Sequence, residues 1–253
     1  MKKETVIITG GSSGMGLAMA THFLGNGANV VITGRNEDKL NEALSNAEGQ
    51  ERILRVVMDV REPEDVKKMV EKTHDTFGRI DHLVNNAAGN FIQKAEEMSP
   101  NGWKSVIDIV LNGTFYCSRE VMNYWIANKT KGSILNMVAT YAWNAGAGVV
   151  HSASAKAGVL TMTRTLAVEW GRRYGVRVNA IAPGPIERTG GAEKLFQSED
   201  AYKRTLGSVP LGRVGTPEEI AKLAGFILSE DASYMNGEVV TLDGGQWLNQ
   251  FPF

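Results

Sequence analysis

Thr9-Gly10-Gly11-Ser12-Ser13-Gly14-Met15-Gly16 joins a β-branched run that starts at Thr5 to a helical pattern from Leu17 to about Gly25. Glycines at a strand-to-helix turn let backbone N–H groups approach a pyrophosphate, and the helix amino terminus favours its negative charge. A glycine triplet alone says little. Its place between a strand and a helix is the context that dinucleotide binding requires, with ligand-free tight-turn packing as the other reading. Gly10, Ser12, Ser13, Gly14, Met15 and Gly16 are the first candidate cofactor contacts.

Outward from this turn, short apolar runs alternate with amphipathic stretches. TVIIT near residue 5, NVVIT near 29, RILRVVMDV near 55, DHLVNN near 83, GSILNMV near 135, VRVNAIA near 178 and GEVVTLDGG near 239 predict seven strands. Helical patterns cover Pro63 to Phe77, Pro100 to Asn128, Ser152 to Tyr174 and Pro217 to Ser229, several opened by proline. Continuous apolar strands, each followed by a helix, argue for a parallel sheet covered on both faces. A closed barrel would show the same alternation. The first turn selects the single-domain, Rossmann-type doubly wound α/β sheet over residues 1–253. The one long irregular segment, about residues 184–210, carries Gly184, Gly190 and Gly191 and reads as a substrate lid.

Composition narrows the function. With 27 basic against 28 acidic residues the formal charge is −1, which argues against nucleic acid or an anionic membrane as partner. Cys117 is the sole cysteine, so no internal disulfide is available. The first strand is too short for a signal-peptide core, no stretch reaches membrane-spanning length, and the end of the chain lacks a Ser-Lys-Leu-like signal; the expected location is cytoplasmic. His22, His74, His82 and His151 lack metal-ligand spacing, and no metal is expected.

The spacing TGxxxGxG, Asn85-Asn86-Ala87-Ala88-Gly89 after the fourth strand, Lys156 on a long helix and Pro183-Gly184 after the sixth strand together resemble the short-chain dehydrogenase/reductase family over nearly the whole chain. That resemblance implies cofactor contacts at Asn86, Lys156, Pro183, Gly184, Pro185 and Ile186, and an adenine contact at Asp59. An acid at Asp59 could equally cap the following helix. Arg35 ends the second strand where NAD-preferring relatives usually carry an acid. Its charge and planar donor fork suit a 2′-phosphate, so NADPH is the expected cofactor, without flavin; stacking on adenine or plain solvation is the other reading.

Of the ordinary catalytic groups implied by the family, only Lys156 is present. The tyrosine position four residues before it holds Ser152, the usual serine position falls near Ala139, and the usual asparagine aligns with Val110. Asn112 is no substitute, because two helical positions rotate a side chain by roughly 200 degrees. Tyr141, just past the fifth strand, is the alternative phenol, expected beside the Lys156 ammonium; its other reading is an aromatic bordering the pocket.

The runs from Asn85 to Phe91, Asp108 to Thr114 and Ser152 to Gly158, with Pro183-Gly184-Pro185-Ile186, are similar to the 2,4-dienoyl-CoA reductase branch. The branch implies Tyr141 as catalytic tyrosine, Ser152 in the helix, Lys156 on the cofactor and Asn90 on the thioester oxygen. It further implies substrate contacts at Phe91, Ser99 and Lys194; core packing, helix capping and a solvated charge are their other readings. Ser152 would bond the substrate oxygen or Tyr141, or else leave room for the acyl chain. The expected reaction is NADPH-dependent reduction of an acyl-CoA diene to a 3-enoyl-CoA, in a homotetramer like its relatives. A carbonyl or enoyl reductase and a catalytically silent dinucleotide-binding protein are the alternatives.

Overall fold

A computed structural model describes residues 3–190 and 198–249. Seven strands form one parallel sheet: β1 (Thr5–Thr9), β2 (Asn29–Gly34), β3 (Ile53–Val57), β4 (His82–Asn85), β5 (Ser133–Met137), β6 (Arg177–Pro183) and β7 (Val239–Leu242). Their order is β3-β2-β1-β4-β5-β6-β7. Chain order reverses between β1 and β4, and a ligand crevice opens at the carboxyl ends of strands on either side of such a point. The doubly wound sheet read from the first turn is therefore the fold, and the barrel is excluded.

Alternation along each strand sends neighbouring side chains to opposite faces. Val6 and Ile8 of β1 pack with Met19 and Phe23 of α1 (Gly14–Gly25), Leu40 of α2 (Glu37–Glu42) and Ile220 and Ile227 of a later helix, Pro217–Leu228. Ile7 faces the other layer, against Met69 of α3 (Pro63–Phe77), Trp125 of a helix at Gly113–Asn128, and Leu166 of a helix at Val150–Tyr174. Trp125 is wholly buried, and its indole N–H donates to the Ile80 carbonyl at 2.8 Å.

On the same face as Ile7, Asn85 Nδ2 donates to Ser118 Oγ and to Asn136 Oδ1, and Asn136 Nδ2 donates to Thr163 Oγ1, each at 2.9 Å. This buried chain ties β4 and β5 to the two long helices behind them. Prolines open three helices as expected, and Thr216 with Glu219 forms a full capping box at Pro217.

Three boundaries differ from the sequence reading. The expected helix from Pro100 to Asn128 is α4 (Pro100–Ile107) and α5 (Gly113–Asn128), separated by a π turn at Asp108–Asn112. In that turn Asn112 donates to Asp108, while Gly113 lies so close to Val60 that a Cβ would stand 2.7 Å from its methyl. Secondly, α6 (Val150–Tyr174) begins before Ser152. Thirdly, the segment expected to be irregular contains α7 (Glu199–Ser208), capped by Ser198 and followed by α8 (Pro217–Leu228). Ser198 followed by Glu199 and Asp200 is the local signal for that start.

Asn136→Ala is expected to lower the unfolding free energy by about 2 kcal/mol, because it strands polar hydrogen-bonding capacity on Asn85 and Thr163 inside the core. Urea unfolding measures it, and a loss under about 0.5 kcal/mol would show that the buried chain contributes little.

Candidate active site

At Gly11 and Gly16 the turn has no room for a side chain. A Cβ on Gly16 would lie 2.3 Å from the Gly10 carbonyl and 2.6 Å from Asn86 Nδ2, and one on Gly11 would lie 2.7 Å from Ile32. Gly10 and Gly14 also have φ of 65° and 53°, in the left-handed region. Asn86 holds the turn from β4: its Nδ2 donates to the carbonyls of Thr9 and Gly10, while Thr9 Oγ1 accepts from the Asn86 and Ala87 N–H groups. Ser13 precedes α1 with no side-chain cap, and the first turn carries no acid. The helix therefore presents its leading N–H groups to an anion.

The chain beyond β6 crosses over this turn. Ile186 bridges to Gly215, with Gly215 N–H donating to the Pro185 carbonyl and Glu187 N–H to the Gly215 carbonyl. Thr189 and the Arg188 carbonyl stand over Gly14, within 3.6 Å of where its Cβ would lie. Gly184 packs on Asp243, where a Cβ would meet Asp243 Cβ at 2.5 Å. The shape made by these glycines, with Arg188 and Thr189 over Gly14, fits a dinucleotide pyrophosphate.

At the adenine end, Arg35 is exposed and has no hydrogen bond or ion pair to another described residue. Asp59 neither caps the next helix nor stands free. Its carboxylate takes both Nε and Nη2 of Arg61, and that guanidinium holds it below the usual carboxylate range.

On the other side of the crevice, β5 delivers Tyr141 in a short 3-10 turn, Thr140–Ala142. Its hydroxyl lies 3.1 Å from Ser152 Oγ on α6. Lys156, one helical turn further on, is buried, and its Nζ donates to the Met137 carbonyl at 2.5 Å. This differs from the expected tyrosine beside an ammonium. Ser152 is the phenol's partner and a backbone carbonyl is the lysine's, so burial pushes the phenol above its usual range, partly offset by Ser152. Burial likewise lowers Lys156 to about 8.

Asn90, half-buried, follows the run that ends β4. Phe91 packs at right angles on His151, with centroids 4.4 Å apart. Ser99 is exposed, and its Oγ accepts from Gly102 N–H, the helix-capping alternative. Lys194 lies outside the described residues. Sequence reasoning passed over His151 except as a non-ligand, because its pairing with Phe91 joins segments sixty residues apart.

The sheet order, the glycine cradle and the lysine helix define a nucleotide-dependent oxidoreductase of the short-chain type. The family described as enoyl-(acyl carrier protein) reductase matches residues 10–246, and the chain belongs to this short-chain dehydrogenase/reductase family. It is 62% identical, over all of both chains, to a Bacillus subtilis protein named probable 2,4-dienoyl-CoA reductase, (2E)-enoyl-CoA-producing. It is 42% identical to a zebrafish (Danio rerio) peroxisomal 2,4-dienoyl-CoA reductase, (3E)-enoyl-CoA-producing, covering 98% of this chain and 83% of that protein. The crystal structure of a short chain dehydrogenase from Bacillus anthracis superposes with a TM-score of 0.92 at 61% identity, covering 99% of each chain.

A lysine lowered from 10.5 to about 8 makes stability rise with pH between those values, because the unfolded chain there binds the extra proton. Without added nucleotide, the gain attributable to Lys156 is expected to reach about 3 kcal/mol by the top of that window. Lys156→Met removes it; denaturant unfolding of both proteins from pH 7.5 to 10 measures the difference, and parallel curves would refute the assignment.

Proposed function

We propose that this chain reduces 2,4-dienoyl-CoA to 3-enoyl-CoA with NADPH, in the degradation of unsaturated fatty acids. The observation that carries the reading is Tyr141, held by Ser152 at the carboxyl edge of β5 in the half of the crevice away from the glycine turn. NADPH, when bound, would supply the hydride that forms a C–H bond at the δ carbon of the diene. As that C–H bond forms, the two π pairs shift toward the thioester and charge collects on its oxygen as a dienolate. The protein must stabilise that oxygen, and Tyr141 and Asn90 are the donors.

A phenol whose pKa is raised by burial stays protonated at neutral pH and is suited to donate. Protonation of the dienolate at the α carbon by a water molecule, with Tyr141 and Asn90 still donating to the thioester oxygen, leaves the double bond at position 3. Protonation at the γ carbon would give the 2-enoyl product for which the Bacillus subtilis relative is named.

Lys156 holds the nicotinamide ribose, and the exposed guanidinium of Arg35, whose charge also helps lower the Asp59 carboxyl, takes the 2′-phosphate. The described residues 184–190 and 198–210 belong to the lid over the acyl thioester, with Phe91 as a substrate contact. A cytoplasmic homotetramer is the assembly that fits the family, and light scattering at micromolar concentration tests it.

The decisive assay follows NADPH oxidation with 2,4-hexadienoyl-CoA and identifies the product by NMR. Tyr141→Phe is expected to lower kcat by roughly 10²–10³, the size typical for one oxyanion donor, with NADPH binding kept within about twofold. An untouched dienoyl substrate, or full activity in that variant, would overturn the reading. Arg35→Ala is expected to raise the KM for NADPH at least about tenfold and leave that for NADH unchanged, as loss of a charge-assisted phosphate contact requires; an equal effect on both cofactors would remove the 2′-phosphate role.

A further inference from the structure

His151 has no part in the chemistry above, yet it is completely buried at the second position of α6, immediately before Ser152. The first N–H groups of a helix lack intrahelical partners, and Val149 before this one offers no side-chain cap. His151 supplies what is missing. Its Nδ1 accepts the Ser152 backbone N–H at 2.8 Å. An imidazole nitrogen that accepts carries no proton, so in the neutral ring the proton sits on Nε2. Phe91 then fixes the ring plane, meeting it at 89° with the centroids 4.4 Å apart.

The other nitrogen makes the arrangement informative. Nε2 is sealed from solvent and has no hydrogen-bond partner among the described residues. Burying an unsatisfied donor is unfavourable, and an apolar side chain of similar size would fill the space without that cost. Filling space therefore does not explain an imidazole here. What only the imidazole adds is the Nδ1 acceptor, and that acceptor ends on the residue whose hydroxyl holds Tyr141 at 3.1 Å.

We propose that His151 is a positioning residue for the reductase reaction: braced by Phe91, it fixes the Ser152 peptide so that Ser152 Oγ holds the Tyr141 phenol at the substrate oxygen. This rests on the catalytic reading of Tyr141. It also gives Phe91 a role in aligning the site, beyond any contact with substrate.

Three substitutions test it. His151→Leu keeps the bulk and loses the acceptor; His151→Asn keeps a carbonyl oxygen near the place of Nδ1; His151→Gln moves the amide out toward the place of Nε2. With 2,4-hexadienoyl-CoA, His151→Leu and His151→Gln are expected to lower kcat by roughly tenfold, with the KM for NADPH within about twofold of the parent. His151→Asn should stay within about threefold of the parent, a rescue that bulk or stability alone would not produce. Thermal unfolding monitors folding; if the leucine variant does not fold, the comparison of asparagine with glutamine decides. Histidine ¹⁵N NMR of the parent should show His151 protonated on Nε2 and bare on Nδ1.

The proposal falls if a folded His151→Leu or His151→Gln keeps kcat within about twofold, if asparagine fails as badly as glutamine, or if the spectrum shows the opposite tautomer. Tyr141→Phe, run alongside, separates the two levels. Full activity in that variant overturns the catalytic reading, whereas its loss together with indifference at residue 151 overturns only the positioning role.

Discussion

The approach of Gly16 to the Gly10 carbonyl, with Asn86 wedged beside both, is the contact on which the arrangement of this molecule turns. It lies where β1 and β4 are neighbours although β2 and β3 intervene in the chain. Past the end of the strand ladder, Asn86 continues the pairing with its side chain, bonding the carbonyls of Thr9 and Gly10. A methyl group on Gly16 would part α1 from the turn and with it the helix end that faces an anion. The crevice has its shape because backbone, not side chain, forms that wall.

From this contact outward, the sequence resolves what is local. The β-branched runs, the prolines at helix starts and the glycine turn each act within a few residues, so seven strands, most of the helices between them and the doubly wound class of sheet were legible. Boundaries set at longer range were not. The π turn before Gly113 reflects its close packing on Val60, about fifty residues earlier, and no periodicity announces it. At α7 the glycines and Pro210 outweighed Ser198 and the two acids after it, although those are sound signals for a helix start. Candidate site residues were legible by motif, but their partners were not. Asp59 is taken by Arg61, Ser99 by its own helix, and Lys156 by a carbonyl of β5, each a hydrogen bond that residue identity leaves undecided.

The partner of Tyr141 bears most directly on the proposed chemistry. In the ordinary family arrangement, phenol and ammonium stand one turn apart on a single helix. Here a serine occupies the helical place and a phenol reaches it from the neighbouring strand end, so the site is assembled across β5 and α6. Two consequences follow from the geometry. The helix position carries a small, buried side chain whose hydroxyl meets the phenol. The phenol, partnered by a neutral hydroxyl and largely out of water, is pushed toward its protonated form.

A reductase that must drive a proton onto a carbonyl oxygen benefits from an acid made stronger by a nearby cation. The proposed diene reduction asks for something else: the oxygen has to be held as an anion while the proton goes to carbon. A weak acid that remains a donor throughout, fixed by Ser152, serves that requirement better than one poised to ionise. Giving the phenol and the ammonium different hydrogen-bond partners is then consistent with the chemistry, because it keeps Lys156 for nucleotide binding and leaves Tyr141 to meet the charge that develops on the thioester.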